Sequence, residues 1–166
     1  KFNTASITPH APYSLSSQLK NLVNQESDDL MTIHNQETAS ENELFKKGSG
    51  TLFNQLSKFS EEIKTWQPTD KNSLPSYLTS FSKQKRILLV HNTFTDKNDI
   101  DFAKNYSNNI YWCFCPNANQ YIENTQPNYE LFLDEKCTIG TDSLASNWSL
   151  SVLDELKTIH KRNSAI

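Results

Sequence analysis

At 166 residues the chain can bury one sizeable core, since a domain of about 150 residues removes roughly two-thirds of its unfolded surface from water. A net charge of −3 supplies no basic field for a phosphate backbone or an acidic membrane surface, so neither nucleic acid nor membrane is an expected partner. The longest apolar run, Ile87-Leu88-Leu89-Val90, is far short of the ~20 residues needed to span a bilayer, and a soluble protein is expected.

The chain opens at Lys1 rather than Met and shows no charged segment followed by an apolar run, which leaves a leader on a longer parent open. The three cysteines, Cys113, Cys115 and Cys137, are an odd number on apolar segments, which suits reduced thiols and a cytoplasmic setting better than a disulfide framework. Cys113 and Cys115 are expected on opposite faces of a strand, and so to share no metal.

In chain order, Ala5–Thr8, Leu30–His34, Arg86–Val90, Ile110–Phe114 and Cys137–Ile139 are β-type runs separated by helix-length segments, the pattern of a parallel α/β sheet. The first helix should follow Ser14 or Ser16, either of which can cap it, with Leu15, Leu19, Leu22 and Val23 at helical spacing. Over residues 41–85 the pattern stretches out around a Gly48-Ser49-Gly50 break, a helical run from Thr51 to Trp66 and a turn-rich piece. We read this as one connection with an inserted helix whose Leu52, Phe53, Leu56, Phe59, Ile63 and Trp66 need burial.

The next helix should start after Thr95, with that hydroxyl as cap and Asp96 and Asp99 in the first turn, where the helix dipole favours negative charge. The last should begin after Asn147 and lay Val152, Leu153, Leu156 and Ile159 on the sheet, with His160 solvated. Residues 1–166 are expected to form a single domain.

Parallel sheets bind ligands beyond the C-terminal ends of their strands. His10 follows the first run, His34 and Glu37 the second, His91 the third, Cys115-Pro116-Asn117 the fourth and Asp142 the fifth. A lone histidine beside a strand is more often a hydrogen-bonded structural residue than a ligand. Taken singly, Glu37 could cap a helix, Asp142 could close an Asx turn, and His10 near Pro9 and Pro12 could belong to a rigid turn. Three histidines with two carboxylates at strand ends instead outline a metal or acid–base site.

These motifs also carry a resemblance. Thr8-Pro-His-Ala-Pro-Tyr-Ser14, Ile33-His-Asn-Gln-Glu-Thr38, Leu89-Val-His91, Cys115-Pro116 with Asn119, and Gly140-Thr-Asp-Ser-Leu-Ala-Ser-Asn147 stand in order. They resemble the PHAPYT, H-x-x-E-T, later His, CP-x-x-N and GTD-x-x-x-SN segments of the amidohydrolase superfamily, on its deaminase and chlorohydrolase branch.

The resemblance implies an α/β fold, a partial (β/α)8 TIM-type barrel of about strands four to eight, belonging to a longer parent chain. It implies one divalent metal, zinc ahead of iron, with His34 and Asp142 as ligands. Such an ion acidifies a bound water to a pKa of about 7. Glu37 would shuttle the proton, His91 would orient the water, Asp142 would also accept a proton, and His10 would touch the substrate. The family's His-x-His ligand pair is absent, so the full metal site is expected in the parent, and these residues alone need hold none and are expected to be inactive.

Phe45 to Gly50 is similar to a phrase of aminofutalosine-deaminase-like members, which favours a small aminopurine-type substrate. The Asn117 to Asn124 loop departs from the family pattern and leaves the substrate open. Hydrolytic dehalogenation, amide cleavage, or a catalytically silent α/β binding module stay as alternatives. Open sheet edges invite pairing between chains, so a homo-oligomer is expected.

Overall fold

The computed structural model describes residues 5–26 and 29–162. Strands β1 (Leu30–Asn35), β2 (Arg86–His91), β3 (Ile110–Phe114) and β4 (Cys137–Ile139) form one parallel sheet in chain order. Side chains alternate across a strand. Met31, Ile33, Ile87, Leu89, Trp112 and Phe114 therefore fall on one face, where they join Tyr77, Leu78 and Phe81 in the main core. On the other face His34, Val90, Cys113 and Thr138 stand level across the four strands. That face is open: His34 and Val90 are half-buried and Thr138 is exposed.

Among the described residues seven α-helices connect and flank the strands: α1 (Ser17–Glu26), α2 (Ala39–Lys47), α3 (Gly50–Leu56), α4 (Ser73–Tyr77), α5 (Lys97–Tyr106), α6 (Pro116–Glu123) and α7 (Val152–Arg162). Of the two candidate serines, Ser16 starts α1, its hydroxyl accepting the Leu19 N–H at 3.1 Å. The break at Gly48 is the left-handed cap of α2, at φ 62°.

Several expectations need correction. Residues Ala5–Thr8 lie beside β1 but form no strand. Their links are the Thr8 hydroxyl, which accepts the Thr32 N–H at 2.8 Å and donates to the Thr32 carbonyl at 2.7 Å, and the His10 carbonyl, which accepts the His34 N–H at 2.9 Å. The Thr8 hydroxyl thus takes both backbone groups of Thr32 that a ladder would use, so no backbone bridge forms there. The helix expected to run to Trp66 ends at Leu56, where the Ser57 hydroxyl turns back onto the Asn54 carbonyl; a 3-10 turn follows at Glu62–Thr65, and Phe59 is 88% exposed.

The cap of α5 is Asp96, not Thr95. Asp96 and Asp99 accept one another's backbone N–H, and the Thr95 hydroxyl goes instead to Gln36. Cys113 and Cys115 share a face, as residues two apart in a strand must, and both pack with Ala118. The hydrogen bond that the Cys115 S–H donates to Cys113, and then burial, push the Cys115 thiol up. On α7, Ile159 packs against the core, but Val152, Leu153 and Leu156 are exposed, Leu153 by 61%, and the buried residue is Glu155.

Candidate active site

The site is built where β1, β2 and β4 end. After Asn35 the chain turns through Gln36 at φ 47°, a conformation that costs a side-chain-bearing residue energy unless neighbours enforce it. Here they do. The Glu41 carboxylate accepts the Gln36 N–H at 3.0 Å, and the Gln36 amide is held by Asp99 at 2.7 Å and Thr95 at 2.6 Å. Complete burial pushes the Glu41 carboxyl up to about 7, and burial also raises Asp99. This polar layer sets the next residue, Glu37, whose Oε1 lies 3.4 Å from His91 Nε2.

β2 closes with two left-handed residues, His91 at φ 77° and Asn92 at φ 57°. The Asn92 amide secures them by donating to the carbonyls of Leu89 at 2.8 Å and Cys113 at 3.0 Å. The His91 ring is completely buried. Its Nδ1 lies 2.9 Å from Asn119 Oδ1, while Asn119 Nδ2 faces the His91 carbonyl at 3.5 Å. With the amide nitrogen turned to a carbonyl, the amide oxygen must accept, so the neutral His91 ring carries its proton on Nδ1 and presents a bare lone pair at Nε2. That Nε2 is buried and makes no hydrogen bond.

Beyond β4, Gly140 passes so close to β3 that a Cβ would stand 3.0 Å from Cys113 Sγ. Asp142 follows at φ 56°, its Oδ2 accepting the Ser146 hydroxyl at 2.6 Å.

One ligand atom each from Glu37, His91 and Asp142 lies within 4.8 Å of the others. His34, expected as a ligand with Asp142, stands beside this group with its ring stacked on His91 at 5.2 Å between centroids. Its Nδ1 donates to the His10 carbonyl at 2.7 Å, which leaves its Nε2 without a proton. The His10 ring is next in the row, 4.9 Å from His34, with Nδ1 3.3 Å from Ser14 Oγ. Burial, then the neighbouring His34, holds His10 below the usual histidine range.

Two imidazoles with bare Nε2 atoms and two carboxylates make a donor set suited to a divalent ion of the zinc and iron class. The orphaned Nε2 of His91 is the kind of atom such an ion would satisfy. All five site residues expected from the sequence stand at this end of the sheet. Asn119 closes the Cys115-Pro116-x-x-Asn119 segment, but its role, like those of Glu41 and Glu155, is not legible in the sequence, because one sequence does not distinguish a buried polar side chain from a solvated one.

Residues 2–164 match the amidohydrolase family. The chain belongs to that family. The aminodeoxyfutalosine deaminase of a Nitratiruptor species is 30% identical over 156 residues, which cover 92% of this chain and 36% of the relative. The adenosine deaminase of Helicobacter pylori is 28% identical over 158 residues, 92% of this chain and 38% of the relative. The crystal structure of Helicobacter pylori aminofutalosine deaminase is similar with a TM-score of 0.82 at 25% identity, over 98% of this chain and 41% of that one. This amidohydrolase chain thus spans roughly two-fifths of the length of such relatives, and its sheet is part of a (β/α)8 barrel. Among the described residues no helix is long and apolar enough to cross a membrane.

Proposed function

We propose that this amidohydrolase chain carries one side of the active site of a metal-dependent hydrolase that deaminates an aminopurine-type heterocycle. The observation that carries the reading is the convergence of Glu37, His91 Nε2 and Asp142 at the strand ends. Asp142 and His34 would hold a divalent ion, zinc or iron, which when bound acidifies a water and polarises the substrate. Glu37 takes a proton from the attacking water and delivers it to the substrate's ring nitrogen as water adds at the ring carbon; Asp142 takes the second proton, from the added hydroxyl, and passes it to the exocyclic amine, which leaves as ammonia. The bare Nε2 of His91 accepts a hydrogen bond from that water, and His10, at the outer end of the histidine row, contacts the substrate.

The relatives support the substrate class, since both curated ones are named as deaminases, one of them of adenosine. Unpaired cysteines suit a cytoplasmic setting. The open sheet and the uncovered side of α7 favour association with a second copy. The 166 residues alone are inactive in this reading, because the relatives' barrels extend well beyond them.

The test is ammonia release from adenosine and its derivatives by the natural full-length protein. Glu37→Gln should abolish turnover and keep the metal. Full activity in that variant would remove Glu37 as the proton carrier, and no metal in either form would remove the hydrolase reading.

A further inference from the structure

Helix α7 contributes no atom to the Glu37, His91 and Asp142 group, yet its Glu155 is completely buried and both of its oxygens are engaged. Oε2 accepts the backbone N–H of Asn117 at 2.8 Å, and Oε1 accepts the side-chain N–H of Asn147 at 2.6 Å. Each bond leads to a different member of the centre.

Asn117 lies in the first turn of α6, whose free N–H groups need acceptors. Two residues on, Asn119 holds His91 Nδ1. The other arm runs through Asn147, whose Nδ2 also donates to the carbonyl of Thr141, the residue before Asp142, at 2.5 Å. Its neighbour Ser146 holds Asp142 Oδ2. Thr158 adds a second tie from α7, donating to Asn117 Oδ1 at 2.6 Å.

We infer that Glu155 is a positioning residue that sets His91 and Asp142 relative to one another through Asn117 and Asn147. This rests on the reading of that group as the reactive centre. Two donors converge on one side chain, and only a carboxylate offers each an acceptor. A glutamine would turn an N–H₂ against one of them, and an aspartate is a methylene too short to reach both.

The test compares Glu155→Gln and Asn147→Ala with the unchanged chain by amide hydrogen exchange and by ¹⁵N spectra of the His91 ring. In Glu155→Gln, exchange should quicken in two separate stretches, residues 116–119 and 141–147, with β1 and β2 as protected as before. The His91 ring should drift from its single Nδ1–H form towards a mixture of tautomers. In Asn147→Ala only residues 141–147 should loosen. Uniform loss of protection across the sheet, or an unchanged His91 ring in Glu155→Gln, would make Glu155 a packing residue and overturn the inference. If Glu155→Gln does not fold, loosening of both stretches in Asn147→Ala overturns it as well.

A cobalt titration separates this inference from the reading beneath it. Where the unchanged chain binds cobalt, Glu155→Gln should bind about 10- to 100-fold more weakly with an altered visible spectrum, as loss of outer support does at metal sites. An unaltered spectrum and affinity would count against the inference. Failure of the unchanged chain to bind cobalt would bear on the metal alone, and the exchange pattern would still decide the role of Glu155.

Discussion

The ring of His91 donates its Nδ1 proton to the amide oxygen of Asn119, 2.9 Å away, and so keeps Nε2 free to face Glu37. The bond crosses from the end of β2 to the first turns of α6, and the choice of tautomer is made by a residue outside the ligand group.

Replacing Asn119 with alanine should therefore lower turnover by the natural full-length protein about 10- to 100-fold, the effect of losing the partner that fixes a catalytic imidazole, with the metal retained. Ammonia release measures the turnover and equilibrium dialysis with zinc the metal. An unchanged rate would mean that burial alone fixes the ring.

Glu41 makes stability fall with rising pH over part of the range. Burial lifts its pKa from 4.5 to about 7, so between those values the folded state binds more protons than the unfolded one. At about 1.4 kcal/mol per unit, roughly 3 kcal/mol is lost as pH rises through that window. Urea unfolding on either side of it should show the fall, and Glu41→Gln should flatten the profile.

His10 works with the opposite sign. Its folded pKa is lowered, so the unfolded state takes up protons first and stability is lost as pH falls through the folded value. An NMR titration should place the His10 midpoint below about 6.5, and His34→Gln should raise it by removing the neighbouring ring.

Tyr77 is completely buried, and its hydroxyl donates to Asn35 Oδ1 at 2.9 Å, just under the turn that sets Glu37. Tyr77→Phe leaves that oxygen short of a donor and should cost about 1–3 kcal/mol in chemical unfolding, with the fold retained.

The four strands were legible because short apolar runs stand between polar segments of helix length: Ile110–Phe114 and Cys137–Ile139 fall where expected, and β1 and β2 each run one residue further. Strand ends then pointed to His34, Glu37, His91 and Asp142 without any knowledge of contacts. Other features were not legible. The absence of a strand at Ala5–Thr8 turns on the Thr8 hydroxyl, which takes both backbone groups of Thr32, and composition does not weigh such a bond. The apolar stripe of α7 shows that the face is fit to be covered, but periodicity does not say whether the covering surface lies in the same 166 residues. Glu155 sits on the adjoining stripe with Ser151, Thr158 and Arg162, where a carboxylate reads as solvated until α6 is packed over it.

The wet side of α7 has a calorimetric consequence. Unfolding raises heat capacity because apolar surface meets water for the first time, typically by about 12–15 cal/mol/K per residue. Trp148, Leu150, Val152, Leu153 and Leu156 already meet it in the folded chain. The heat-capacity increment of this chain should accordingly fall below that range, giving a shallow stability curve. Any surface that seats on α7 would be detected by the curvature it restores.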